Sequence, residues 1–159
     1  MRVDNLKKNR VLLLGIGNPL LTDDGIGIVA AREIAERKLP GVDVEEATAS
    51  GIEVMEMMLD YEKVVVVDAI FIPEHEPGEI MRLKVEDFSH TVHGSSPHGV
   101  NISTAIALGM QTTPDRMPKE IVFWAMQAED ISTFCETQTE EVARKMPELI
   151  AAVVAEIGR

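Results

Sequence analysis

Residues 63–70 read KVVVVDAI, four consecutive valines closed by an aspartate. β-Branched side chains favour strands, and a run without polar alternation is the pattern of a strand covered on both faces. Such a strand calls for helices on either side of its sheet. The rest of the chain supplies them. Residues 10–16 form a second apolar run, ended by Gly17-Asn18-Pro19, and 121–128 (IVFWAMQA) form a third. VDVEEA (42–47) alternates as a strand, and 79–85 (EIMRLKV) alternates as a more exposed one.

Helical spacing appears between these strands. From Asp24, the residues Ile28, Ala31, Ile34 and Ala35 share one face of a helix expected to stop near Lys38, before Leu39-Pro40-Gly41. Residues 52–61 give a short helix with Met55, Met58 and Leu59 inward, and 99–110 give another. Thr137 and Glu140 have capping-box spacing ahead of a helix with Val142 and Met146 inward, which Pro147 is expected to break or restart. Segments 71–79, 86–98 and 112–120 read as loops. Strands alternating with helices define an α/β protein with a mostly parallel sheet and helices on both faces.

The 159 residues suit one domain over 1–159, and no repeat or linker divides them. Hydrophobic residues make up 45% of the chain, and no apolar stretch approaches the roughly 20 residues of a membrane span. The basic N-terminus leads into a strand instead of a signal-peptide core. A single cysteine, Cys135, excludes an internal disulfide and fits a cytoplasmic protein; it reads as a partly buried small hydrophobe. The net charge is −12, with no stripe of Lys and Arg to neutralise phosphates, so nucleic acid is not an expected partner.

The loop after the first strand, GIGNPLLTDDG (15–25), carries the first chemistry. A dinucleotide fingerprint would place its third glycine where Leu20 stands, and the Gly-Lys-Ser/Thr of a P-loop is absent. Asp23 and Asp24 would moreover repel a pyrophosphate. One of these acids, Asp23, is expected to cap the first helix. The other belongs at the C-terminal edge of the sheet, where open α/β folds bind ligands. Asp68 closes the valine run at the same edge. It could cap a turn or pair with Lys63 or an arginine, but a carboxylate placed there is a site residue by default. Among the histidines, His75, His90 and His93 lie in polar loops, whereas His98 sits in SSPHG (95–99) at a helix entrance that favours the neutral imidazole. Asp24, Asp68 and His98 together offer an O,O,N donor set for a divalent first-row metal.

The motifs GIGNPLLTDDGIG, VVVVDAI and SPHG, in that order, resemble those of the hydrogenase maturation proteases. These are endopeptidases that trim the C-terminus of the nickel–iron hydrogenase large subunit. The resemblance implies a three-layer α/β/α fold with a five-stranded mostly parallel mixed sheet, in which 79–85 is the antiparallel strand. It implies that Asp24, Asp68 and His98 bind nickel, that Asp24 and Asp68 are the catalytic carboxylates, and that either could be the base toward water. It also implies a substrate-binding loop after the second strand. Here that loop holds Glu46, Ser50 and Gly51 within Glu46 and ATASG (47–51), where many members carry an Asp and Gly-Gly-Thr. The nickel arrives in the large-subunit precursor, so no tightly bound cofactor of the protein's own is expected, and a monomer is expected. Two other readings stay open: a zinc peptidase or amidase on the same architecture, and a non-enzymatic metal-sensing chaperone of the precursor.

Overall fold

The computed structural model describes residues 7–48, 51–88 and 102–159. Five strands, β1 (Val11–Ile16), β2 (Val42–Ala47), β3 (Lys63–Ile70), β4 (Ile80–Lys84) and β5 (Glu120–Gln127), form one sheet in the order β2-β1-β3-β5-β4. The pairs β1/β2, β1/β3 and β3/β5 are parallel, and β4 runs antiparallel to β5. The mixed sheet and its single reversed strand are as the sequence and the family resemblance imply.

Two helices cover each face. Leu12, Leu14, Val64 and Val66 pack with Val54, Met55 and Met58 of α2 (Gly51–Met58) and with Ala105 and Ile106 of α4 (Ile102–Thr112). Leu13, Val65 and Val67 face Ile26, Ala30 and Ile34 of α1 (Ile26–Ala35) and the stripe Val142, Met146, Leu149, Ile150 and Val153 of α5 (Glu140–Ile157). All four valines, Val64 to Val67, are 0% exposed, which accounts for the unbroken run. Each contributes roughly 2 kcal/mol of burial. A four-residue helix, α3 (Val85–Phe88), follows β4 within the segment read as irregular.

Several local expectations are corrected. A 3-10 turn over Thr22–Gly25 precedes α1, which therefore starts at Ile26 and ends at Ala35, with Ala35 exposed. Another 3-10 turn, Pro114–Arg116, interrupts the loop before β5. The N-cap of α5 is Thr139, without a side-chain cap bond, so the Thr137 capping box does not form. Pro147 lies inside α5 and does not break it. Both Ala143, whose carbonyl loses its intrahelical donor, and Pro147 itself are exposed, so water can satisfy that carbonyl while the apolar stripe stays packed. Cys135 is exposed, because its backbone bridges to Leu21 and its thiol turns to Thr137.

Candidate functional site

The strand order sets the location. β1 leads through α1 to β2 on one side, and the chain then returns across β1 to β3 on the other. The C-terminal ends of β1 and β3 therefore flank a topological switch point, the crevice where open α/β sheets bind ligands. The β1 ladder ends at Gly15 opposite Val67, so Asp68 is the first β3 residue beyond it. The turn carrying Asp24 opens from the neighbouring β1.

The glycines of the first loop serve close approach. A Cβ on Gly27 would lie 2.2 Å from the Val67 carbonyl oxygen and 2.4 Å from that of Ile16, so only glycine lets the start of α1 press onto β1 and β3. Gly17 has φ +142° and faces the Asp24 carbonyl, which a Cβ would meet at 2.0 Å.

The two adjacent acids have different surroundings. Asp23 is fully buried, and its carboxylate accepts the backbone N–H of Glu129 (2.9 Å), Asp130 (3.0 Å) and Thr139 (2.8 Å) and the Thr139 hydroxyl (2.8 Å). It does not cap the first helix. It clamps the β5–α5 loop, and the clamp is reinforced when Thr22 N–H donates to Cys135 O, Asp23 N–H to Asp130 O and the Thr22 hydroxyl to Thr133 O. Thr22 itself has φ +52°, a left-handed conformation uncommon for a β-branched residue, over-determined by these bonds.

Asp24 is half-buried, and its carboxylate accepts one backbone N–H, that of Asn18 at 3.2 Å. Burial pushes its carboxyl above the usual range, opposed by that bond. Asp68 is pushed well above it, first by burial and then by the like charge of Asp24, against one backbone bond at Ala69. Neither acid has an ion-pair partner among the described residues; Lys63 pairs instead with Glu120 and Glu156. The charge of Asp24 acting on Asp68 brings the two carboxyls into one site at the C-terminal edge of the sheet.

The remaining expected site residues divide. His98 and Ser50 lie outside the described residues, as do His90 and His93. α4 runs down to the loop before β5, so its start at Ile102 lies at the edge that holds the two acids. Glu46, at the end of β2, is exposed and its carboxylate pairs with Arg32 at 2.9 Å. Gly51 begins α2 at the same edge. Among the described residues no group of three His, Cys, Asp or Glu is placed to hold a metal; of the three expected ligands, Asp24 and Asp68 are among the described residues. The sequence gives no sign of the clamp role of Asp23, because its partners lie 106 to 116 residues away, in the loop after β5.

These features define a doubly wound α/β/α protein with a repelling carboxylate pair at its switch point. Residues 28–156 match the family model for hydrogenase maturation protease. The chain is 30% identical over 104 residues to the hydrogenase 2 maturation protease of Escherichia coli, covering 62% of each chain. It is 36% identical over 85 residues to a putative hydrogenase maturation protease of Methanocaldococcus jannaschii, covering 52% of this chain and 54% of the relative. The matched stretches thus span less than two thirds of these relatives. Among solved structures, the hydrogenase maturating endopeptidase HybD of Escherichia coli shares the fold, with TM-score 0.77, 24% identity and coverage of 93% and 91% of the two chains. The [NiFe] hydrogenase maturation protease HybD of Thermococcus kodakarensis superposes with TM-score 0.74 at 25% identity, over 93% of this chain and 99% of that one. The chain belongs to the hydrogenase maturation protease family.

Proposed function

We propose that this protein is an endopeptidase that removes the C-terminal extension of a nickel–iron hydrogenase large-subunit precursor already loaded with nickel. The observation that carries this reading is the Asp24–Asp68 pair, two half-buried carboxylates raised by burial and, at Asp68, by each other's proximity. A carboxylate of the pair takes a proton from water as the water oxygen attacks the scissile carbonyl carbon, and returns that proton to the departing amine as the C–N bond breaks, so the step needs no carboxyl that is protonated while it holds nickel.

Nickel enters as part of the substrate. Asp24, Asp68 and His98 would hold it by two oxygens and one nitrogen, which makes cleavage conditional on metal insertion. Glu46, Ser50 and Gly51, at and after the end of β2, would contact the precursor. No described helix is long and apolar enough to cross a membrane. The protein is proposed to act as a cytoplasmic monomer and to hold no metal of its own.

The test is co-incubation of the purified protein with nickel-loaded and nickel-free precursor, read by intact mass. The expected result is loss of a C-terminal fragment from the loaded precursor alone. An unchanged mass for the loaded precursor, with the two proteins bound to each other, would favour a non-enzymatic chaperone. Stoichiometric zinc retained by the protein through chelation would favour a zinc peptidase.

A further inference from the structure

The loop between β1 and α1 satisfies its own hydrogen bonds so fully that one donor is left over. The backbone N–H groups of Gly17, Asn18, Leu21, Thr22, Asp23 and Asp24 all donate to backbone carbonyls. Leu20 N–H donates to the Asn18 side-chain oxygen Oδ1 at 3.0 Å, and Pro19 has no N–H to place. The Thr22 hydroxyl donates to Thr133 O. Among the described residues, the donor of 17–24 without an acceptor is the Asn18 carboxamide nitrogen, Nδ2. Asn18 is half-buried, and its Nδ2 is reached by solvent.

We propose that the Asn18 carboxamide is the oxyanion donor of this site, its Nδ2–H donating to the scissile carbonyl oxygen as that oxygen gains negative charge. This assignment rests on the peptidase reading above. In the step, the water oxygen bonds to the carbonyl carbon and the C=O π pair moves onto the carbonyl oxygen. A carboxylate of the acid pair takes the water proton. Collapse of the oxyanion re-forms the C=O bond, breaks the C–N bond and sends that proton to the departing amine. The acids serve the proton alone, because an ionised carboxylate accepts hydrogen bonds and repels a developing oxyanion. A neutral N–H donor is the part that the acid pair lacks.

Placement and orientation agree with that role. β1 ends at Ile16, so Asn18 stands two residues beyond the strand, at the crevice between β1 and β3 that Asp68 borders. Its backbone N–H also reaches the Asp24 carboxylate at 3.2 Å, which puts donor and proton acceptor on one turn. The bond from Leu20 distinguishes the two ends of the amide: Oδ1 accepts on the turn, and Nδ2 is the free end. Pro19 narrows the backbone freedom of Asn18 further. The side chain is thus held in place without its donor being consumed, as a preorganised oxyanion donor must be. An asparagine whose sole task was to close the turn could be replaced by aspartate or serine, which accept the same N–H.

That difference supplies the experiment. Cleavage of the nickel-loaded precursor is followed by intact mass across pH for the wild-type protein, Asn18→Asp and Asn18→Ser. Both replacements keep an oxygen for the Leu20 N–H, neither carries an N–H in place of Nδ2, and thermal unfolding reports that they fold. The expected result is a fall in kcat of about 10²–10³-fold in both variants with KM unchanged, as for loss of one transition-state donor. The added charge in Asn18→Asp alone would move its pH profile upward, so its loss should persist at the top of that profile. Wild-type kcat in Asn18→Ser, or in Asn18→Asp once pH is raised, confines Asn18 to the turn and overturns the assignment. A rise in KM with kcat unchanged also overturns it, because the contact would then be made equally in the bound state. Each of those results keeps the peptidase. A precursor left uncut by the wild-type protein sinks the peptidase reading and the donor with it.

Discussion

Replacing Asp23 by alanine tests whether the first of the two adjacent acids is a structural clamp. The substitution leaves three backbone N–H groups and one hydroxyl without their acceptor. Hydrogen bonds to a charged group contribute about 1.5–3 kcal/mol each, so simple addition gives roughly 6–12 kcal/mol. That sum is an upper limit. Glu129 is exposed and Asp130 and Thr139 are half-buried, so water reaches some of the freed donors, and the bonds share one anion. A loss of about 3–5 kcal/mol is expected, placing the variant among the most damaging single substitutions. For a chain of this length that lowers Tm by about 6–20 °C. Urea unfolding gives the free energy, and an unchanged m-value shows that the folded state is still compact. Asp24→Asn, one residue away, is the control. Its carboxylate is desolvated and accepts one N–H at 3.2 Å, so it should cost nothing or add stability. Asp23→Ala within about 1 kcal/mol of the wild-type protein would refute the clamp.

Asp68→Asn should abolish precursor processing and raise stability by about 0.5–2 kcal/mol at pH 7 to 8. Because the folded carboxyl binds its proton more tightly than the unfolded one, wild-type stability falls as pH rises from near the unfolded value of 3.8 through the raised folded value. Thermal unfolding should therefore show the gain vanishing below that window, and an equal gain at every pH would contradict it. Glu156→Ala removes a fully buried carboxylate bonded to Arg82 at 3.0 and 3.1 Å and to Lys63 at 3.3 Å. It should cost about 1–3 kcal/mol in urea unfolding, because Lys63 keeps Glu120 at 3.1 Å and Arg82 is part-exposed, so the loss is that of the hydrogen bonds themselves. The Arg82 guanidinium holds the Glu156 carboxyl below its usual range, so its contribution is present above about 4.5 and lost as pH falls through the folded value. His98→Ala should abolish processing while changing stability by less than about 1 kcal/mol, and His93→Ala should change neither; the reverse pattern in an intact-mass assay would remove His98 from the site.

The strands were legible because burial on both faces leaves a direct mark. Lys63–Ile70 and Val42–Ala47 begin and end where the valine run and the alternation do. The partial exposure of β4 suits a strand at the sheet margin, whereas its reversed direction was implied by the family resemblance alone. α5 was harder. Pro147 is a local signal for a break, but Val142, Met146, Leu149, Ile150 and Val153 form a continuous buried stripe that outweighs one lost bond on an exposed face. Asp24 and Asp68 could be singled out because a strand end and a charge coincide. The Glu156 network and the clamp at Asp23 could not, since each depends on partners 74 to 116 residues away that no local pattern announces.

The adjacency of Asp23 and Asp24 then has a physical reason. A repelling carboxylate pair destabilises the fold that contains it, and its geometry relaxes unless the backbone beneath it is held. Asp24 has one N–H bond through its side chain, too little to fix it against the repulsion from Asp68. The carboxylate of its preceding residue is bonded four times to a different loop, and Thr22 before that is locked in a left-handed conformation by two more bonds. Neighbouring residues share a peptide plane, so immobilising Asp23 confines Asp24 without placing any stabilising contact on Asp24 itself. A direct hydrogen-bonding partner for Asp24 would hold it as firmly but would lower its pKa and occupy the oxygen that the proposed reaction uses. Holding the acid through its neighbour keeps it both fixed and available.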